Sequence, residues 1–369
     1  MPTYLLIVGT RPEVIKLAPL AAELRRRGAT AEFCAIGQHG DLLYQALTDF
    51  GEIPRYLILP FQKGREPAAL LSGIMELLPP LLKEISPDGV IVQGDTTTAL
   101  GGGLAAFYAR IPLIHVEAGL RTYARTPFPE EAHRRMLAPL AELHLCPTQI
   151  DADALIQESV RGKIAITGNS GLDGLRLILS RPAPPLPAWE GRLILCTLHR
   201  RENAEQLPQF LGALKKIVET VPDCTILFPT HPSPALEKAS GEFRTLPRLQ
   251  ITPPLPYSVC AHLLPRLTLL FTDSGGLQEE AAYLGIPTLI CRENSERGDA
   301  PSLKLIGTIP QRLVEEATRL LTDEAARQKL CQPSTRYGDG FAAERMAEEI
   351  CSSAGKNPRV DNFSPVCYN

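Results

Sequence analysis

Short apolar runs alternate with stretches of helical period along most of this chain. Alternation of this kind predicts mostly parallel sheets with helices on both faces, so the expected fold class is α/β. The predicted strands are Tyr4–Val8, Glu32–Ile36, Val90–Val92, Leu113–Val116, Leu143–Cys146 and Ile164–Ile166, followed by Leu193–Cys196, Thr225–Phe228, Leu249–Ile251, Leu267–Phe271 and Pro287–Ile290.

The alternation is interrupted once, by a proline-rich segment at residues 181–187. Its four prolines are incompatible with a helix or a central strand. Since 369 residues are long for a single core, two domains are the default expectation. We interpret this segment as a domain boundary or hinge.

Composition excludes several classes of protein. A net charge of −3 provides no overall attraction for nucleic acid or an anionic membrane, so neither is an expected partner. No apolar run approaches the length that spans a bilayer, and the N-terminus lacks the basic segment of a signal peptide. The nine cysteines include no C-x-x-C pair, which favours reduced, buried thiols and a cytoplasmic location.

Motifs for common cofactors are absent from the sequence. It has no G-x-G-x-x-G string, no Walker A string and no metal-ligand spacing, so we expect neither a cofactor nor a metal ion. Two other turns follow predicted strands and open helices, at residues 9–13 and 272–280. A helix that begins this way presents free backbone N–H groups to an anion. The pair predicts two α/β units that face each other across one phosphate-bearing ligand.

Charged side chains gather after the predicted strands of the first half. Arg11 and Lys16 follow the first strand, while Asp95 and Glu117 follow two later ones. Glu131 opens the next helix, where an acid also complements the helix dipole without any function. Carboxylates that meet at one sheet edge raise each other's pKa, which suits proton transfer.

The second half contributes histidines and a glycine turn. His199 lies between a strand end and two arginines, whereas His231 stands between prolines and is equally suited to fixing a turn. A structural role is the simpler interpretation of most histidines, and we assign it to His39, His144 and His262.

Seven strings, in order and at matching spacings, resemble the non-hydrolysing UDP-N-acetylglucosamine 2-epimerases. The resemblance extends from about residue 4 to about residue 350. The strings are Gly-Thr-Arg-Pro-Glu-Val-Ile-Lys (9–16), Gly-Asp-Thr-Thr-Thr (94–98), His-Val-Glu-Ala-Gly-Leu-Arg-Thr (115–122), Pro-Glu-Glu-Ala-His-Arg-Arg (129–135), His-Arg-Arg-Glu (199–202), Thr-Asp-Ser-Gly-Gly-Leu-Gln-Glu-Glu (272–280) and Tyr-Gly-Asp-Gly (337–340).

The resemblance implies a glycosyltransferase-B-like architecture. Two Rossmann-like domains then enclose a central cleft, and a C-terminal helix crosses back to the first domain. The N-terminal domain is expected at residues 1–168 plus 340–369, and the UDP-binding domain at residues 169–339. The resemblance also implies a homodimer.

The implied reaction is reversible C2 epimerisation of UDP-N-acetylglucosamine to UDP-N-acetylmannosamine. UDP leaves C1 and the C2 proton is lost, which gives 2-acetamidoglucal. UDP then adds back to C1, and a proton adds to the other face of C2. The implied catalytic residues are Asp95, Glu117, Glu131 and His199. The implied substrate-binding residues are Arg11, Lys16, Arg135, His231, Ser274, Gly275, Gly276, Glu280 and Arg297, with Glu280 on the ribose hydroxyls.

Several positions depart from the family pattern. His133 stands where members often have Asn, and Gly40 follows Gln38-His39 where many have Arg, which predicts weak or absent activation by substrate. The segment 296–302 is shorter than usual, and Leu255 and Cys260 replace expected polar and aromatic residues near the base. Three alternatives stay open: a modified UDP-acetamido sugar, a hydrolysing epimerase, and a UDP-sugar glycosyltransferase or binding protein.

Overall fold

The computed structural model describes residues 1–37, 40–58, 66–198, 206–230, 243, 246, 248–293 and 300–354. Elements are numbered over these residues. They form two parallel β-sheets with helices packed against them, which confirms the expected α/β class. Among these residues, no helix combines the length and apolar character required to cross a membrane.

The first sheet has seven strands in the order β3-β2-β1-β4-β5-β6-β7. Its strands are β1 (Thr3–Val8), β2 (Thr30–Ile36), β3 (Tyr56–Ile58), β4 (Gly89–Gln93), β5 (Leu113–Val116), β6 (Leu143–Cys146) and β7 (Lys163–Ile166). The accompanying helices are α1 (Arg11–Arg26), α2 (Gly40–Asp49), α3 (Pro67–Ile85), α4 (Thr97–Ala109), α5 (Glu130–Leu137) with a 3-10 turn at Ala138–Leu140, and α6 (Gln149–Gln157).

The second sheet has six strands in the order β10-β9-β8-β11-β12-β13. Its strands are β8 (Arg192–Thr197), β9 (Cys224–Pro229), β10 (Leu249–Thr252), β11 (Leu267–Thr272), β12 (Thr288–Ile290) and β13 (Leu303–Leu305). The remaining helices are α7 (Gly171–Leu179), α8 (Leu207–Thr220), α9 (Tyr257–Leu263) with a 3-10 turn at Leu264–Arg266, α10 (Gly275–Leu284), α11 (Pro310–Thr322), α12 (Glu324–Gln328) and α13 (Ala342–Ala354).

Both sheets share one winding pattern. The chain adds two strands on one side of the first strand, and then returns to the other side to continue. The direction reverses between β1 and β4 in one sheet and between β8 and β11 in the other. In doubly wound sheets, ligands bind at such switch points, beyond the carboxyl ends of the strands.

Three glycines bring α4 close to its neighbours. A Cβ on Gly101 would lie 2.8 Å from Ile74 of α3, and one on Gly103 would lie 2.5 Å from Leu137 of α5. A Cβ on Gly102 would lie 3.0 Å from Val92 of β4. The glycines therefore serve close packing in the helix interior.

Helix α13 crosses back to the first sheet, as the family resemblance implies. Its residues Met346 and Ile350 belong to the same buried cluster as Leu17 and Leu24 of α1. The Asp173 carboxylate accepts hydrogen bonds from the backbone N–H groups of Ala342 and Ala343, at 3.1 and 2.9 Å, and so caps the first turn of α13.

The Tyr-Gly-Asp-Gly string forms the turn that precedes this crossing helix. Gly338 and Gly340 have φ angles of 131° and 80°, a region that side-chain-bearing residues rarely adopt. Asp339 accepts two hydrogen bonds from Arg345, at 3.0 and 2.8 Å, and this pairing lowers the pKa of the carboxyl to about 2. Arg345 also donates to the carbonyl of Thr167, 2.8 Å away. The string therefore has a structural role in directing α13.

A second junction joins α2 to α9. The Phe50 and Tyr257 rings stack with their centroids 5.9 Å apart. Ser258 donates from its backbone N–H and its hydroxyl to the Asp49 carboxylate, at 3.1 and 2.6 Å. These contacts fix Tyr257, whose hydroxyl points into the site described next.

Candidate active site

Glu117 lies at the carboxyl end of β5, where side chains from two other elements meet it. Its carboxylate accepts hydrogen bonds from the Lys16 ammonium on α1 and the Gln93 amide at the end of β4. Its backbone has φ +61°, a conformation that costs a non-glycine residue about 1–2 kcal/mol. The structure therefore brings Lys16 and Glu117 together at the first switch point.

Asp95 follows β4 and pairs with an arginine that the sequence analysis did not single out. Its Oδ2 accepts a hydrogen bond from Nε of Arg134, 2.6 Å away. Burial raises the pKa of Asp95 and the nearby Glu117 raises it further, while Arg134 and Lys16 lower it; the net direction is upward. Asp95 therefore holds a proton more readily than an ordinary aspartate.

Glu131 of α5 is in the opposite electrostatic environment. Burial raises its pKa, but hydrogen bonds from the backbone N–H groups of Thr122 and Tyr123, at 3.0 and 3.1 Å, and the charge of Arg134 outweigh burial and lower it. Arg134 contacts Glu131 at 3.2 Å while it also holds Asp95. Two carboxyl groups whose pKa values move apart suit complementary acid and base roles.

Glu280 of α10 lies buried on the opposite side of the site. Its Oε1 accepts a hydrogen bond from the Tyr257 hydroxyl at 2.8 Å, whereas its Oε2 accepts none from the described residues. Burial raises the pKa of Glu280 to about 7, although the Tyr257 hydrogen bond and the charges of Arg11 and Lys16 act to lower it. A buried carboxylate oxygen without a donor is suited to accept a hydrogen bond from a ligand hydroxyl.

Arg11 connects the two halves of the site. It opens α1, and its Nη1 donates to the carbonyl of Leu255 at 3.0 Å. Leu255 is one of the positions where the sequence departs from the family pattern. Because Arg11 contacts the backbone carbonyl of Leu255, a different side chain at this position leaves the acceptor in place.

The start of α10 presents backbone groups suited to an anion. The helix begins at Gly275, and the Ser274 side chain makes no capping hydrogen bond within the described part of the chain. A Cβ on Gly276 would meet no described atom within 4 Å, so the space beside this turn is open. The first N–H groups of the helix are then available to a phosphate.

Not every expected residue joins this cluster. Arg135 is exposed and lines a surface cavity with Glu158 and Arg161. The structure therefore does not bring Arg135 to the three carboxylates of the candidate site. His199, His231 and Arg297 lie outside the described residues, as do Gln38 and His39. The assignment of Arg135, His199, His231 and Arg297 to the site stays a prediction.

Sequence reasoning missed Glu13 as well as Arg134. The Glu13 side chain is fully buried and accepts hydrogen bonds from the backbone of Gly9 and Thr10. The available signal was the acid in the first turn of α1, three residues after Thr10, which is typical of a helix start.

The chain is similar to known proteins over nearly its full length. A family model described as UDP-N-acetylglucosamine 2-epimerase matches residues 22–351. The chain is 38% identical over 376 residues to a UDP-N-acetylglucosamine 2-epimerase of Escherichia coli, which covers 96% of this chain and 99% of that protein. It is 36% identical over 371 residues to the Bacillus subtilis protein of the same name, with 97% of each chain covered.

A solved structure agrees with the sequence similarity. The crystal structure of UDP-GlcNAc 2-epimerase from Neisseria meningitidis, bound to UDP-GlcNAc, matches with a TM-score of 0.86 at 31% identity. The match covers 95% of this chain and 100% of that one.

Proposed function

We propose, on the premise that the chain belongs to the UDP-N-acetylglucosamine 2-epimerase family, that it interconverts UDP-N-acetylglucosamine and UDP-N-acetylmannosamine without hydrolysis. The members of this family are enzymes, and this chain is one of them. It has the two-sheet, glycosyltransferase-B-like fold of its relatives.

The first half-reaction is an elimination. The bond from C1 to the diphosphate oxygen breaks, UDP leaves with the electron pair, and a carboxylate takes the proton from C2, so that a C1=C2 double bond forms. In the second half-reaction, a proton adds to C2 from the other face and the UDP oxygen attacks C1 again. Carbonyl chemistry is not needed, because the leaving group and the proton depart from adjacent carbons.

The acids divide these tasks according to their surroundings. Glu131, with its lowered pKa, stays ionised and stabilises positive charge at C1. Asp95, with its raised pKa, exchanges a proton with the sugar. Glu117, which pairs with the Lys16 ammonium, is a further carboxylate for proton transfer. This opposed pair of carboxyl groups around Arg134 is the observation that carries the proposal.

The departing UDP requires a binding site for its charge. Arg11, Lys16 and the helix start at Ser274–Gly276 supply positive charge and N–H donors, and His199 joins them on the family resemblance. Glu280 accepts hydrogen bonds from the ribose hydroxyls through Oε2, which has no donor among the described residues. Residues 1–168 with 340–369 would then carry the acids, and residues 169–339 the UDP site.

Incubation with UDP-GlcNAc in deuterium oxide, followed by NMR, tests this function. We expect deuterium at C2 of UDP-ManNAc and of the recovered UDP-GlcNAc. Free ManNAc with UDP would establish hydrolysis instead. Absence of turnover would contradict the assigned substrate and direct attention to a modified UDP-acetamido sugar, a glycosyl transfer reaction or a binding role.

The family resemblance also leads us to propose a cytoplasmic homodimer. At the end of α4, Phe107 and Tyr108 are each more than half exposed. The centroids of their two rings lie 5.6 Å apart. Paired exposed aromatics of this kind are typical of subunit contacts. Light scattering of the wild type and of Phe107→Glu tests this: a wild-type monomer would contradict the dimer, and an unchanged dimer in the variant would exclude this surface.

A further inference from the structure

The turn after β4 carries Asp95 and is held by side chains from three neighbouring elements. They are His115 of β5, His133 of α5 and Glu13 of α1. The proposed reaction assigns no chemistry to any of them. All three are nonetheless buried, with at most 6% of each residue exposed.

Two of the three are imidazoles that bind consecutive backbone carbonyls. Nε2 of His115 lies 2.7 Å from the carbonyl oxygen of Gly94, and Nδ1 of His133 lies 2.8 Å from that of Asp95. A carbonyl oxygen only accepts, so each of these nitrogens carries the hydrogen. Burial lowers the pKa of His115 to about 4, so this imidazole is neutral near pH 7.

Glu13 holds the next residue of the turn. Its Oε1 accepts a hydrogen bond from the Thr96 hydroxyl at 2.5 Å, while its Oε2 accepts from Gly9, Thr10 and the Thr10 hydroxyl at 2.7–2.9 Å. The Thr96 hydroxyl also accepts from the backbone N–H of Ala99 and caps α4. One carboxylate therefore ties the loop after β1 to the turn after β4, across the switch point.

We propose that His133, together with His115 and Glu13, is a positioning residue for Asp95. The three side chains fix residues 94–96, and so hold the Asp95 carboxyl against Arg134 and near Glu117. Gly94 has φ +69°, a conformation that glycine adopts readily, and it leads directly into the acid, so these three side chains hold the turn at the residue next to Asp95. The effect on turnover rests on the proposed function, whereas the fixed turn does not depend on the identity of the sugar.

His133 offers a matched pair of substitutions. An asparagine amide nitrogen occupies nearly the position of Nδ1, whereas a glutamine amide nitrogen reaches the position of Nε2. His133→Asn therefore keeps the donor to Asp95, and it is also the residue that family members often carry. His133→Gln keeps the polarity and a longer side chain but moves the donor away.

We expect His133→Gln to lower kcat by about 10-fold or more, because small displacements of a reacting group are costly, with KM within about threefold of wild type. His133→Asn should keep kcat within about threefold, since its donor is retained. Hydrogen exchange of residues 94–99 provides a second measurement: we expect about 10-fold faster exchange in the Gln variant and wild-type exchange in the Asn variant.

Thr96→Val and Thr96→Ser repeat the comparison at the Glu13 end, where only Ser keeps the hydroxyl. Equal behaviour of the Asn and Gln variants in exchange, or a Gln defect confined to melting temperature, would overturn the proposal. If the wild type does not convert UDP-GlcNAc, the proposed function fails, and the exchange comparison still decides whether His133 holds the turn.

Discussion

Three acids and one lysine from separate parts of the chain meet at the first switch point. Sequence reasoning predicted Lys16, Asp95, Glu117 and Glu131, because strand ends of a parallel sheet share one edge. It did not identify Arg134, which holds two of the acids. Successive side chains on a helix point about 100° apart, and a pattern of two adjacent arginines does not reveal which one faces the site.

Removal of each acid should impair catalysis more than binding. We expect Asp95→Asn, Glu117→Gln and Glu131→Gln to lower kcat by at least about 100-fold, because proton transfer or charge stabilisation is lost. Affinity for UDP, measured by calorimetry, should change little. Glu315→Gln, at an exposed position of α11, is the control. Near-normal turnover of Glu117→Gln would contradict the proposed mechanism.

Glu280 should make stability depend on pH near neutrality. Folding raises its pKa from 4.5 to about 7, so the folded protein keeps a proton that the unfolded chain has already lost. This contribution is present at low pH and is lost as the pH rises from about 4.5 to about 7. Glu280→Gln mimics the protonated form, and we expect its melting temperature, relative to wild type, to rise between pH 5 and pH 8.

That comparison is made without nucleotide, and Glu315→Gln again serves as the reference. A melting difference between wild type and Glu280→Gln that stays constant across this pH range would show that the group does not titrate there. The free-energy change between the two limits is at most about 3.5 kcal/mol, since each pKa unit corresponds to about 1.4 kcal/mol.

At the scale of elements, the sequence predicted most of the strands that the structure describes but missed β3 and β13. Strands β3 and β13 have three residues each and lie at the outer edges, where one neighbour is enough and no long apolar run is required. Helix α5 ends at Leu137 and continues as a 3-10 turn, because Pro139 has no N–H to extend it.

Helix α13 should depend on the cap that α7 provides. Asp173→Ala removes the acceptor for two N–H groups of its first turn, and we expect the free energy of unfolding to fall by about 1–2 kcal/mol. Asp173→Asn keeps an acceptor and should lose less. Urea unfolding measures both, with Ser352→Ala near the end of the same helix as the control. Equal losses for Ala and Asn would indicate that the acceptor oxygen at residue 173 does not stabilise the helix.

At the scale of the whole molecule, the sequence leads to a prediction about activation by substrate. Gly40, at the start of α2, replaces an arginine that many family members carry beside Gln38-His39. Such a side chain can supply charge-assisted contacts worth about 1.5–3 kcal/mol to a second substrate molecule. An effector shifts a conformational equilibrium only by its difference in affinity between the two states.

We therefore expect no strong activation by substrate. The reverse reaction, from UDP-ManNAc alone, should start at full rate and follow a hyperbolic dependence on concentration. Gly40→Arg restores the cation and is the variant in which a lag should appear. A pronounced lag in the wild type, abolished by trace UDP-GlcNAc, would mean that Gln38, His39 or their neighbours keep a regulatory site.

The crossing helix has a consequence for synthesis on the ribosome. Its Met346 and Ile350 belong to the cluster that includes Leu17 and Leu24, so this part of the apolar face of α1 is covered only after the last part of the chain has been translated. At about 5–20 residues per second, that wait lasts on the order of tens of seconds. A nascent or prematurely terminated chain leaves this face uncovered, and it is therefore the part of the protein on which a chaperone would act.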